Sequence, residues 1–365
     1  MIRKILFLLG IVLLPASVFA DTIYLKSGTK VEGKIVEKTD TTIKVNFQGV
    51  TLTYDKDEIS RISEAPQAVV AKTSPAVRQG NASASTLSLG SSSQSATCFL
   101  WEIKSSAGSN VYLLGSIHAA KPGWYPLPQK IEDAFRAADT LVVEADITDA
   151  GKLSHMQMLT LSTSVYQAGD TFKNHVSAES YALVKTRCAA LGLDISQFEI
   201  FKPWFVAMTL SAIELKLRGF DTEAGIDIHF LKKAKDKKIM ELESIDFQVT
   251  LFNNFSDAHQ DLFLVSTLTD LDNLEKRVDA LYASWVSGNA KAMEQMAFKG
   301  LAEHPRFLPI YEKLFYERNL TMASKIDGFL KTQGTYFVVV GSGHMLGDKG
   351  ILRLLEKKGY RTKQL

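Results

Sequence analysis

Tyr336-Phe337-Val338-Val339-Val340-Gly341-Ser342-Gly343-His344 is the stretch that decides the fold. Its first five residues, β-branched or aromatic throughout, read as a buried strand. The chain then breaks on two glycines, presents a histidine, and by Asp348 has begun a helical pattern of Ile351, Leu352, Leu354 and Leu355. The same phrase stands far upstream, where Val111-Tyr112-Leu113-Leu114 runs into Gly115-Ser116-Ile117-His118. A histidine just past a buried strand sits where open α/β sheets hold their ligands. Two turn histidines in glycine-rich loops would explain one such phrase; two in matching context point to one shared site.

Other strand ends extend the set. Thr140 to Val143 reads as a strand ending at Glu144, and Lys238 to Leu242 as a short strand ending at Glu243. If these strands run parallel in one sheet, His118, Glu144, Glu243 and His344 meet along one edge. Two imidazoles and two carboxylates are a ligand set for a divalent ion such as zinc, manganese or cobalt. An ion so held acidifies a bound water and polarises a carbonyl, with the spare carboxylate as general base. Gly115, Gly341 and Gly343 let backbone approach a ligand closely. The competing reading of each carboxylate is a cap on a neighbouring helix.

Arg318-Asn319 belongs to a helical segment, Ile310 to Phe329, whose Leu314, Phe315, Met322 and Ile326 face the core. Arg318 is either a solvated charge beside Glu317 or a fixed cation that holds a substrate oxygen or orients Glu144 or Glu243. Asp227, in Gly225-Ile226-Asp227-Ile228-His229, enters a helix as a cap or supporting residue, and His229 lies on that helix's face. His155, His175, His259 and His304 stand in unpatterned polar contexts and read as surface residues. Ser116 and Ser342 each precede a histidine by two positions. Neither matches the Gly-x-Ser-x-Gly of a nucleophile elbow, so a serine mechanism is disfavoured.

The surrounding domain, residues 98–365, is α/β with a central sheet and a large helical component. It opens with strands at 99–103 and 111–114, followed by a helix over 126–139. Helices are predicted at 149–165, 177–191, 203–218 and 223–236, and again from 244 to about 330. A helix at 349–357 and a strand at 360–364 close it. Ahead of this domain, residues 22–63 alternate on a period of two in four short strands, closed by Ile59 and Ile62. That pattern predicts a small SH3- or Sm-like β-barrel over 21–64, an interaction or anchoring module for a protein or envelope partner. Residues 65–97, rich in Ala, Ser, Gln, Thr and Pro, have no apolar face and read as a disordered linker.

The N-terminus has the form of a secretory signal peptide over residues 1–20. Arg3 and Lys4 precede an apolar run from Ile5 to Leu14, and Val18-Phe19-Ala20 supplies the small residues of a cleavage site. The run is shorter than the roughly 20 residues a membrane-spanning helix needs. The expected address is therefore periplasmic or secreted, with no transmembrane segment after cleavage. Removing residues 1–20 takes two of the 42 basic residues and none of the 40 acidic ones, leaving a net charge of zero. That excludes the basic field nucleic acid selects for. Cys98 and Cys188 would meet an oxidising compartment, where they either pair or stay free.

These motifs resemble a known family. Val111 through Asp146, with Tyr125-Pro126-Leu127-Pro128 and Val143-Glu144-Ala145-Asp146, is similar to the opening of TraB/GumN-type domains. Lys202-Pro203-Trp204, Gly225-Ile226-Asp227, and Leu242-Glu243 followed by Gln248 resemble its middle. Arg318-Asn319 with Met322 and the closing Gly-Ser-Gly-His-Met-Leu-Gly resemble its end. The family is similar to the Tiki metal-dependent proteases and, more distantly, to erythromycin esterase-like and haem-binding ChaN-like proteins. The resemblance implies one site lined by His118, Glu144, Glu243, Arg318 and His344, with Asp227, Asn319, Ser116 and Ser342 as supporting residues. Ser116 and Ser342 stand where members often have Thr or Ala.

The expected activity is hydrolysis of a peptide or small-molecule substrate. His118 and His344 would hold the ion, one of Glu144 and Glu243 would complete the shell, and the other would activate water. Arg318 would stabilise the developing oxyanion. The alternative is a non-catalytic protein that sequesters a peptide or haem-like ligand.

Overall fold

Gly334–Gly341 forms the central strand of the larger unit because both its neighbours are parallel strands and both its faces are covered. A strand buried on two faces reads as a continuous apolar run, which is how Phe337-Val338-Val339-Val340 is spelled. The computed structural model describes residues 21–26, 30–47, 50–63, 97–271 and 274–365. The expected leader and the expected linker up to residue 96 lie outside the described residues. The chain divides into two compact units, the boundary falling beside residue 96.

In the smaller unit, β1 (Asp21–Leu25), β2 (Lys30–Lys38), β3 (Thr42–Phe47), β4 (Val50–Asp55) and β5 (Ile59–Ser63) form an antiparallel sheet in the order β4-β3-β2-β1-β5. Ile23, Ile43 and Val45 are fully buried, with Ile35, Tyr54, Ile59 and Ile62 packed against them. Ile59 and Ile62, expected to close the module, sit on a fifth strand paired with β1.

The larger unit is mixed α/β. Its six strands are β6 (Leu100–Lys104), β7 (Ser109–Ser116), β8 (Thr140–Val143), β9 (Lys238–Glu241), β10 (Gly334–Gly341) and β11 (Thr362–Gln364), in the order β11-β6-β7-β10-β8-β9. The four strands β7, β10, β8 and β9 are parallel, while β6 and β11 join antiparallel at one side. The helices α1 (Gln129–Ala137), α2 (Ala150–Ser164), α3 (Ala178–Ala190), α4 (Pro203–Leu217) and α5 (Ile226–Lys233) precede β9. After it come α6 (Ile245–Asn253), α7 (Asp257–Asp270), α8 (Leu274–Val286), α9 (Ala290–Glu303) and α10 (Leu308–Tyr311). A π-helical turn, Glu312–Tyr316, leads into α11 (Glu317–Leu330); α12 (Ser342–Met345) and α13 (Ile351–Lys357) follow β10.

The helix starts follow local chemistry. Asp149, Ser177, Ser244 and Ser256 each accept a hydrogen bond from a backbone N–H two or three residues into the helix that follows. Pro203 opens α4 at a position where a missing N–H costs nothing. Three expectations shift. The helix predicted from Pro126 begins at Gln129, and the one predicted from 223 begins at Ile226, after a separate 3₁₀ turn over Thr222–Ala224. His175, expected at the surface, is partly buried and held in place: its two ring nitrogens lie 2.8 Å from Asp257 Oδ2 and 2.8 Å from Asp170 Oδ2. Cys98 and Cys188 are both buried and free. Among the described residues, no helix is long and apolar enough to cross a membrane.

Candidate active site

Four adjacent parallel strands bring four chain segments to one edge. β7 leads to His118, β8 to Glu144, β9 to Glu243, and β10 to His344 inside the short helix α12. The pairing of β8 with β9 continues past the strands, since Leu242 N–H donates to Val143 O and Glu243 N–H to Glu144 O, both at 2.8 Å. The two glutamates are thereby set side by side. The two Gly-Ser-x-His turns also touch, with Ser342 Oγ donating to the Ser116 carbonyl at 2.9 Å.

Each imidazole is oriented through Nδ1. His118 Nδ1 meets Asp227 Oδ2 at 3.1 Å. Asp227 is delivered there because Ile226 N–H bonds the Ile117 carbonyl (3.0 Å) and Gly225 packs on the His118 backbone, where a Cβ would meet the His118 carbonyl oxygen at 2.5 Å. His344 Nδ1 meets Asn319 Oδ1 at 2.6 Å, and Asn319 Nδ2 donates to the Lys349 carbonyl at 2.9 Å. With its amide fixed that way round, Asn319 offers oxygen to the ring, so Nδ1 carries the proton and Nε2 is left with a lone pair. Both Nε2 atoms are buried and have no hydrogen-bond partner.

The open nitrogens share a neighbourhood. A Cβ on Gly341 would stand 3.0 Å from His118 Nε2, 3.4 Å from Glu144 Oε1 and 3.5 Å from His344 Cδ2, so only glycine leaves this space free. Glu144 Oε1 lies 3.9 Å from His344 Nε2 and accepts the Gly341 N–H at 2.6 Å.

Arg318, 4% exposed, closes the other flank. Its Nε donates to Glu243 Oε1 (2.8 Å), its Nη2 to Glu144 Oε2 (2.6 Å) and Glu243 Oε2 (2.7 Å), and its Nη1 to the Leu314 carbonyl in the π turn (3.0 Å). Gln248 Nε2 approaches the same two oxygens, Glu243 Oε2 at 2.9 Å and Glu144 Oε2 at 3.3 Å. Two donors thus bridge two acceptors, and Glu144 is left with Oε1 turned toward the imidazoles.

The electrostatics separate the two histidines. Burial disfavours charge on His118, but the charge and hydrogen bond of Asp227, with Glu144 behind, outweigh it and raise its pKa above the ordinary value. His344 is pushed well below that value by burial, then by Arg318, and stays neutral. Arg318 is disfavoured by burial, yet the two glutamates raise its pKa and keep it charged.

Every residue expected at this edge is therefore in the cluster: His118, Glu144, Glu243, Arg318 and His344, with Asp227, Asn319, Ser116 and Ser342 around them. They do not form a ready-made ligand shell: among the described residues no group of three or more His, Cys, Asp or Glu side chains is disposed to hold a metal ion as the side chains stand. Both oxygens of Glu243 point to Arg318 and Gln248. Gln248 drew no chemical reading from the sequence. Its position five residues after Glu243, one turn into the following helix, was the available signal. His229 stacks on Tyr125 at 4.6 Å and bonds Glu132, as a helix-face histidine.

Residues 99–364 match the sequence model of the TraB/PrgY/gumN family. The chain is similar to the uncharacterized protein YbaP of Escherichia coli strain K12, 25% identical over 246 residues that cover 67% of this chain and 87% of the relative. An uncharacterized protein of Treponema pallidum is 23% identical over 276 residues, 71% of this chain and 80% of the relative. The metalloprotease TIKI1 of Danio rerio is 21% identical over 318 residues, 72% of this chain and 62% of the relative. No solved structure matches this chain.

Proposed function

This chain belongs to the TraB/PrgY/gumN family, and from that premise we propose that it is a metal-dependent hydrolase of peptide bonds. The observation that carries the reading is the pair of buried imidazole Nε2 atoms without partners beside Glu144, each fixed from behind through Nδ1. An imidazole whose far nitrogen bonds a carboxylate or carbonyl oxygen is the usual form of a metal-ligating histidine. The donor chemistry fits a divalent ion of the zinc, cobalt or manganese type, which His118 Nε2, His344 Nε2 and Glu144 Oε1 would hold. When bound, such an ion supplies Lewis acidity toward a carbonyl oxygen and an acidified water. The similarity to a protein named a metalloprotease supports peptide as the substrate class.

The chain's own residues have separable tasks in this scheme. Asp227 and Asn319 fix the tautomers that leave both Nε2 lone pairs inward. Arg318 and Gln248 hold Glu144 and Glu243 side by side, and burial keeps bulk water from competing for them. Glu243 accepts three hydrogen bonds, so one of the roughly four lone-pair sites of a carboxylate remains to take a proton from water. With Nε and Nη2 spent on carboxylates and Nη1 on Leu314, Arg318 acts by orienting the glutamates, in place of the oxyanion role its charge suggests.

The test is metal analysis of protein purified without chelator, followed by peptide hydrolysis. His118→Ala and His344→Ala should each lose both metal and activity. Retained activity in either variant overturns the reading. One observation favours a second reading, a binding protein without turnover: Arg318 engages both glutamates, so neither is an unencumbered base. Wild type that holds metal yet cleaves nothing in a broad peptide library would establish it. In either case the leader over residues 1–20 supports work in the periplasm or beyond, and the N-terminal unit is proposed as a barrel-type module for a protein or envelope partner.

A further inference from the structure

A cleft of about 310 Å³ lies between α6, the start of α7 and the π turn leading into α11. That volume is at the lower end of small-ligand sites. Its apolar wall is built from Phe247, Leu251 and Phe255, and Phe247 is 43% exposed, a large aromatic ring left to solvent on a short helix. Its charged rim is Glu312, Lys313 and Glu317. Lys313 Nζ is 2.8 Å from Glu317 Oε1 and pairs with it, so of the lining's acidic and basic side chains Glu312 is left over, with His259 the other titratable group of the lining.

The cleft is tied to the candidate active site through consecutive residues. Gln248 follows Phe247, and Arg318 follows Glu317. One residue along a helix is a turn of about 100°, so the cleft and the glutamate pair use neighbouring faces of the same two helical segments. The π turn forms part of the cleft wall and also offers the Leu314 carbonyl to Arg318. Single π turns concentrate at functional sites. An apolar wall facing an unneutralised carboxylate accepts a ligand with an apolar body and a cationic end.

We propose that this cleft is a specificity subsite for peptides, holding an aromatic or large aliphatic side chain against Phe247 with a neighbouring Lys or Arg at Glu312. The assignment rests on peptide being the substrate class, and its test reads binding separately from cleavage. The probe is a fluorescein-labelled hexapeptide with Phe-Lys at its centre, compared with Phe-Glu and Ser-Lys counterparts. Anisotropy on the full chain gives affinity, and mass spectrometry of the same samples gives cleavage.

The Phe-Lys peptide should bind about tenfold tighter than Ser-Lys, as expected for burying one aromatic ring. It should bind up to about fivefold tighter than Phe-Glu, a margin that shrinks with salt because the pair is exposed. Phe247→Ala should erase the first difference and Glu312→Gln the second. Phe247 is exposed and Glu312 half-buried, so both variants should fold. Equal affinity for the three peptides, affinity unchanged in both variants, or no binding at millimolar peptide overturns the subsite. Binding with this pattern but without cleavage leaves the subsite standing and removes the hydrolase reading. Cleavage indifferent to Phe247 and Glu312 removes the subsite alone.

Discussion

Gly341→Ala tests whether the space between the two imidazoles is the working part of the molecule. Gly341 has φ −53° and ψ 136°, a conformation any residue adopts, so the substitution adds a methyl group without backbone strain. That methyl carbon would stand 3.0 Å from His118 Nε2, 3.4 Å from Glu144 Oε1 and 3.5 Å from His344 Cδ2. The first contact is inside the optimal separation of about 3.5–4.0 Å. Retreat is restricted, because His118 is held by Asp227 and Glu144 by the Gly341 N–H itself, at 2.6 Å. Overpacking of this kind costs about 1–3 kcal/mol. For a domain of this size that is a fall in Tm of about 2–10 °C. The effect on metal should be far larger, since donors must close to about 2.0–2.2 Å around an ion and the methyl group occupies the gap between them. Calorimetric titration with Mn²⁺, Co²⁺ and Zn²⁺ should show affinity reduced more than about 100-fold, beyond what loss of one supporting contact gives. Gly328→Ala, whose Cβ meets nothing within 4 Å, is the control and should bind metal as wild type does. Gly341→Ala protein with wild-type affinity and Tm would refute the reasoning.

Arg318→Leu leaves two buried carboxylates without their cation and should cost about 3–5 kcal/mol in urea unfolding. Adding Glu243→Gln should recover part of that loss, and additive costs would show that the pairs are independent. Asp227→Asn keeps the shape beside His118 but removes the charge; metal affinity should fall about 10–100-fold by calorimetry, and an unchanged value would remove Asp227 from the supporting set. His175 is held by carboxylates at both nitrogens, a geometry that needs both N–H groups. Burial opposes its charge, but Asp257 and Asp170 raise its pKa in the folded state. Its contribution is therefore complete below the unfolded value of about 6.5 and is lost as pH rises through the folded value. The Tm gap between wild type and His175→Gln should be wider at pH 5.5 than at pH 9, and a gap independent of pH would contradict the assignment.

The parts of this molecule that could be read from sequence are those that local patterns encode. A strand buried on both faces must be apolar without interruption, so β7, β8 and β10 announce themselves, and the histidine or glutamate after each stands out against the run. What joins those ends is equally legible in outline, since parallel strands put their C-terminal ends on one edge. The π turn was not. Glu312-Lys313-Leu314-Phe315-Tyr316 has the same polar and apolar spacing as an α-helix, and only the Glu317 N–H reaching back to the Glu312 carbonyl distinguishes it. Nor was the pairing of His175 with two carboxylates, because one of them, Asp257, is 82 positions away and no period links them. The role of Gln248 is not legible either, since an amide in an amphipathic helix carries no sign of its partners. The antiparallel attachment of β6 and β11 likewise depends on where the chain returns.

The charge of the site is what the proposed divalent cation would answer to. Glu144, Glu243 and Asp227 bring three negative charges against Arg318 and whatever charge His118 takes under its raised pKa, while His344 stays neutral. Buried charge of one sign is costly unless it is matched. Arg318 cannot supply the match at the histidine side, because its donors are committed to the glutamate Oε oxygens on the far flank and to Leu314. The negative charge that Arg318 does not match therefore falls at Glu144 Oε1, beside the two Nε2 atoms and the space Gly341 keeps clear. Nitrogen donors from two imidazoles suit zinc, cobalt or manganese, whereas calcium and magnesium take oxygen ligands. The order of strands in the sheet is what makes this division: the imidazoles arrive on β7 and β10, the glutamates on β8 and β9, and the guanidinium from a helix beyond them.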